Sequence, residues 1–230
     1  EKIMWAVFKK ELKSYFLSPI GYIVIAVFML IYSIFFYLTT ISYGSIFMGD
    51  LYYASARYGL LLMVPLLTMR MFSEERKSGT EQLLLTSPRS VTSIVLGKFF
   101  AAVAVILITL VLSIIYAVII SFFGNVYVPT LIITMLGFLL VAMAAISIGM
   151  LASSITENQI ISAIITIGVL VAPWFLVDIS DIFSSIDLIG KFLKFPNGLI
   201  SVSDTIGLVS ITITCILITI ILIKRRKTVK

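Results

Sequence analysis

Histidine is absent from this 230-residue chain and Cys215 is its single cysteine. That removes the usual general base, the commonest metal ligand and any internal disulfide together. Asp178, Asp181, Asp187 and Asp204 gather late in the sequence. Their spacing matches no calcium loop, so a solvated rim is the expectation. No G-x-x-x-x-G-K-[ST] run occurs, which leaves the chain nothing to cradle a nucleotide's phosphates. The dense charge lies in EERKSGTEQLLLTSP, from Glu74 to Pro88. Ser78 followed by Glu81 has capping-box spacing and predicts a short helix carrying Gln82, Leu83, Leu84 and Leu85 before Ser87 and Pro88 stop it. Consecutive leucines facing water need a cover, and flanking charges of both signs suit the rim of a protein groove better than a bilayer surface. The chemistry expected here is docking.

The elements that present this segment are membrane spans. The chain is 60% hydrophobic and 12% charged, with a mean hydropathy of +1.17, far outside a soluble domain. Apolar runs predict six transmembrane helices: Ile20 to Thr40, Leu51 to Phe72 with Arg57 near one end, Phe99 to Phe123, Leu131 to Ala152, Ile160 to Val177 and Ile206 to Ile223. Each can cross about 30 Å of hydrocarbon. The fold class is an all-α membrane protein. An amphipathic interfacial helix occupies residues 1–19, the six-helix domain 20–223 and a basic tail 224–230. Polar segment 73–90 cannot lie in lipid and must be a loop. No cleavable leader is expected, since the first span is long enough to stay as an anchor.

Of the 17 lysines and arginines, only Arg57, Lys191 and Lys194 fall on one side of this topology. The excess on the other side makes both termini and the Glu74 loop cytoplasmic. The net charge of +6 flanks spans, which suits anionic lipid head groups rather than nucleic acid. In the first segment Trp5, Phe8, Leu12 and Phe16 recur at helical spacing, and either a lipid anchor or a lever linking the loop to the first span fits.

Pro65 and Pro173 interrupt two spans and read equally as hinges or static bends. Ala145, Gly149 and Ser153 form a small-residue face for close helix packing. Arg70 sits near the cytoplasmic end, where it can snorkel. Residues 178–205 are expected to fold back on the outer surface through apolar positions such as Ile182, Phe183 and Ile186.

The run PLLTMRMFSEER, then KSGTEQLLLTSP, resembles the permease subunit of type-two ATP-binding-cassette transporters. FKKELKSYFLSPIGYIV and FPNGLISVSDT are similar to the branch that includes the bacterial gliding-motility permease. The resemblance implies that residues 1–19 are a connecting helix and that the loop holds a coupling helix seated in an ATPase groove. Its coupling residues would be Glu74, Glu75, Arg76, Gly79, Thr80, Glu81, Leu83, Leu84 and Leu85. It also implies a separate ATPase subunit carrying ATP and Mg, a second permease copy or paralogue, no cofactor on this chain, and a bacterial or archaeal cell membrane.

The expectation is a non-enzymatic permease of an ATP-driven transporter, an exporter. A secondary transporter would need an intramembrane ion site that the sequence does not offer, and a nontransporting scaffold would use the leucine loop as a docking epitope.

Overall fold

A computed structural model describes residues 2–80, 90–176 and 186–229, and every regular element among them is helical. The first helix, α1 (Lys2–Leu17), ends at Ser18, whose extended backbone turns the chain into α2 (Pro19–Phe36). Proline at a helix's first position gives up no hydrogen bond the helix would have made. A π-helical turn, Tyr37–Ser42, continues α2. Next come α3 (Met48–Ala54), a second π turn at Ser55–Gly59 and α4 (Leu60–Thr68). The junction residues Ser55 and Leu60 keep right-handed helical dihedrals, so the path from Met48 to Thr68 is helical throughout.

A short helix, α5 (Ser73–Lys77), follows. Beyond it lie α6 (Val91–Ser121), α7 (Val128–Ile155) and α8 (Gln159–Leu176). The chain closes with α9 (Leu188–Phe192), a 3-10 turn at Phe195–Asn197, and α10 (Val202–Val229).

Among the described residues, Pro19–Ser42, Val91–Ser121, Val128–Ile155, Gln159–Leu176 and Val202–Arg226 are each long and apolar enough to cross a bilayer. The chain is an all-α, multi-pass membrane protein. Where Leu51 to Phe72 was predicted as one helix, the structure has the segmented path Met48–Thr68, and Arg57 lies well inside it. α6 also starts well before the expected Phe99, and α10 before Ile206. Hydropathy marks only the part of a helix that suits lipid, whereas backbone hydrogen bonding carries the helix on through Ser, Thr and Lys.

α7 is the central post. Of its apolar window 56% is buried inside the chain, against 17% for α8. α4, α6, α8, α9 and α10 all pack on it. Small residues allow the approach: a Cβ at Gly149 would overlap Oγ1 of Thr68 on α4. Away from α1 the core is aromatic, with Tyr32 and Tyr52 ring centres 5.3 Å apart and Phe28 and Phe138 5.7 Å apart. Phe138 meets Phe192, which stacks on Phe195. Thr134 Oγ1 donates to the Phe195 carbonyl at 3.2 Å. The described part of the late segment therefore folds back onto α7.

Candidate functional site

The charged residues of the predicted loop meet α1 and the first turns of α6. The stripe that α1 turns inward holds Val7, Glu11, Leu12 and Tyr15, with Val7 only 4% exposed. Trp5 is 55% exposed, stacked at 5.0 Å on Phe8 beneath the Lys9 ammonium. Of the apolar residues expected on this helix, Leu12 and Phe16 pack against the core while Trp5 faces outward, and the inward stripe includes a carboxylate. α1 docks where α6 has Gly97, at which a Cβ would stand 2.8 Å from Cβ of Val7 and 3.2 Å from the Met4 carbonyl. Any larger residue would push the helices apart.

That close approach buries the next residue, Lys98, to 3% exposure. Its Nζ donates to Glu75 Oε1 at 2.8 Å, to the Met71 carbonyl at 2.8 Å and to Glu11 Oε1 at 3.3 Å. An ammonium has three donors, and each finds an oxygen here. The Phe72 ring centre lies 5.3 Å from the same nitrogen. One buried cation thereby ties α1, α5 and α6 together. Burial holds the Glu75 carboxyl above its ordinary range, although the Lys98 charge pulls the other way.

α5 is fixed to α7 as well. Ser153 Oγ accepts from the backbone N–H groups of Phe72 at 3.1 Å and Ser73 at 3.2 Å, where the first donors of a helix need partners. Arg76 Nη1 donates to the Ile155 carbonyl at 2.9 Å, and Nη2 to Glu157 Oε1 at 2.7 Å, closing the last turn of α7. Glu74 pairs with Arg70 at 2.7 Å, so Arg70 is held by an ion pair rather than by snorkelling alone. The Tyr15 hydroxyl donates to the Leu67 carbonyl at 3.1 Å, and burial pushes its pKa well above the usual phenol range, which keeps it a donor.

Glu74, Glu75 and Arg76 therefore share α5 and reach, in turn, Arg70 in the bend before it, Lys98 of α6 and the end of α7. Ser78 departs from expectation. Its backbone is αR and its hydroxyl donates back to the Glu74 carbonyl at 2.8 Å, so it closes α5; the helix expected over Gln82 to Leu85 lies outside the described residues. Gly79 turns the chain at φ +72°, and Thr80 Oγ1 lies 2.8 Å from Ser78 Oγ. Glu81, Leu83, Leu84 and Leu85 lie outside the described residues. Ala145, Gly149 and Ser153 are buried along α7, with Gly149 against α4 and Ser153 against α5 of the same chain. Pro65 is buried inside α4, its carbonyl accepting from Met69 N–H at 2.9 Å, and Pro173 is buried inside α8.

Glu11 and Lys98 were not singled out by the sequence reading. Their signals were present: an acid on the inward stripe of a lysine-rich helix, and a lysine just inside an apolar run. Neither names the other as its partner.

An all-helical membrane bundle with a charge cluster at one end, built around the segment that follows its second helical path, is the framework in which the comparisons fall. The family model described as ABC-2 family transporter protein matches residues 9–172. The chain belongs to that family, and is a permease subunit of an ATP-binding-cassette transporter. The match takes in most of α1 and continues to Ala172 in α8. No curated protein matches.

Proposed function

We propose that this chain is the permease of an exporter driven by a separate ATPase subunit, and that Glu74 to Pro88 is its coupling element. The observation that supports this most is the Lys98 cluster. A push on α5 meets no soft joint, because charge-assisted hydrogen bonds carry it to α1 and α6 through Lys98 and to α7 through Arg76, beside a neutral hydrogen bond from Ser73 N–H to Ser153. Leu83, Leu84 and Leu85 would fill an apolar groove on the ATPase, with Gly79, Thr80 and Glu81 at its rim. The ATPase would hold ATP and Mg, and this chain would bind no cofactor.

In this reading the path Met48–Thr68 is the sixth crossing, both termini are cytoplasmic, and the membrane is that of a bacterial or archaeal cell. Pro65 and Pro173 would serve as hinges. A second permease copy or paralogue would complete the path, with lipid around it. The gliding-motility branch is the subgroup whose motifs the chain most resembles. The test is copurification: the tagged chain, expressed with its ATPase in a lipid-retaining detergent, brings down a polypeptide that hydrolyses ATP. A chain that is isolated without one, yet transports, would sink the reading.

A further inference from the structure

Arg57 occupies the π turn between α3 and α4, roughly 14 Å along the helical path from Met48 at 1.5 Å per residue. π turns recur at functional positions because the widened backbone re-aims a side chain. Here it aims a guanidinium at Trp174 of α8: Cζ of Arg57 stands 4.8 Å from the Trp174 ring centre and 5.8 Å from that of Tyr58. The Tyr58 ring is edge-on to Trp174 at 6.4 Å and stacked on Phe35 at 5.5 Å, so the aromatic frame is itself braced. Ring faces attract the cation but offer no oxygen.

Two donors in this frame go unused. Arg57 Nε is buried with no hydrogen-bond partner, and so is Nε1 of Trp174. Among the described residues no carboxylate pairs with Arg57, whereas Lys98, Arg70, Arg76 and Lys194 each have one. Among the described residues this guanidinium has no counter-ion, and an anion would complete it.

The geometry limits what that anion can be. The cleft beside Arg57 and Trp174 is walled by Ala56, Leu60, Leu170, Leu188 and Ile189, and its free volume is about 20 Å³. That is room for one water-sized group. A single oxygen of a phosphate or carboxylate fits, while the rest of the molecule must remain outside. Tyr58 and Phe175, the chain neighbours of Arg57 and Trp174, are 45% and 75% exposed, an apolar setting that suits a hydrocarbon tail better than a hydrated free anion.

We propose that the Arg57 and Trp174 cleft binds the anionic head group of an amphiphile, one of whose oxygens accepts from both side chains. Resting on the permease reading, this names an acidic amphiphile as the substrate class.

The chain has two tryptophans, so Trp5→Phe leaves Trp174 as the only indole reporter. Titrating that protein in dodecyl maltoside with dodecyl phosphate produces a saturable change in Trp174 emission. Arg57→Gln weakens the response at least tenfold. Arg57→Lys keeps the charge but loses the fork, and weakens it by a smaller factor; this variant also decides the matter if Arg57→Gln does not fold. Inorganic phosphate at the same concentrations produces no change. Equal titration by parent and both variants, or no saturable change in the parent, overturns the site. An equal response to inorganic phosphate overturns the amphiphile. In the transporter assembled with its ATPase, dodecyl phosphate stimulates ATP hydrolysis and Arg57→Gln removes the stimulation; binding without stimulation overturns the substrate assignment. The titration needs no ATPase. Copurification with no Arg57-dependent binding therefore leaves the permease reading intact, and binding without any ATPase partner does the reverse.

Discussion

The Lys98 ammonium lies 2.8 Å from the Glu75 carboxylate, 23 residues earlier in the chain, and both side chains are withdrawn from water, at 3% and 16% exposure. Such a pair orders its surroundings more than it stabilises them. Removing one partner of a buried pair leaves a bare charge and costs about 3 to 5 kcal/mol, whereas replacing all the charges is close to neutral. Lys98→Met should therefore lower the unfolding midpoint in detergent strongly, and Glu11→Gln with Glu75→Gln in the same chain should restore most of it. Calorimetry or intrinsic fluorescence on the purified variants reads this directly. Equal destabilisation of the single and triple variants would mean that the lost ammonium hydrogen bonds, and not the bare carboxylate charges left behind, account for the cost.

A pH dependence follows from Glu75. Burial raises its carboxyl pKa in the folded state, so the folded chain binds this proton more readily than the unfolded chain. The associated stability is fully present below the ordinary carboxylate pKa of about 4.3 and is lost as pH rises through the folded value. Relative to Glu75→Gln, the parent protein should thus lose stability as pH is raised from mildly acid to neutral. A gain over the same interval would show that Lys98 outweighs burial.

Gly149 offers a steric test. A side chain there would overlap Thr68 Oγ1 and stand 2.9 Å from its Cβ. Gly149→Ala should cost on the order of 1 to 3 kcal/mol by wedging α4 from α7, and Thr68→Ala should recover part of that. Because both residues belong to one chain, oligomer size should not change. A loss of assembly without a loss of thermal stability would move this face to an interface between copies.

Topology can be read by labelling. In a Cys215→Ala background, a cysteine replacing the 85% exposed Tyr43 should react with an impermeant maleimide from outside intact cells. A cysteine replacing Lys77 should react only after lysis. The basic residues around α1, α5 and the end of α10 are the basis. Reversed labelling would place the Glu74 loop on the wrong side for any cytoplasmic ATPase.

The sequence carried the class of the fold well, because hydrocarbon imposes one rule on every span and apolar runs obey it. It carried the site less well, for reasons visible in single residues. Ser78 and Glu81 match a capping box, yet a serine can equally return its hydroxyl to a carbonyl four residues back, and Ser78 does so with Glu74. The apolar spacing of Trp5, Phe8, Leu12 and Phe16 marked α1 as amphipathic but did not show that Val7 would be the residue seated on Gly97. Lys98 and Glu11 are 87 residues apart, and nothing local to either predicts their meeting. Arg57 counted only as an outer charge until the path was found to begin at Met48 and the π turn set the guanidinium against Trp174.

The most direct measurement is on Leu84, at the centre of the leucine run. If it fills a groove on the ATPase, its burial is worth about 1.5 to 3 kcal/mol, and Leu84→Asp loses that and buries an unpaired charge. The variant should insert and unfold like the parent, retain its ATPase at least tenfold more weakly, and fail to support transport-linked ATP hydrolysis. A Leu84→Asp chain that keeps both its partner and full hydrolysis would contradict the coupling role of this loop.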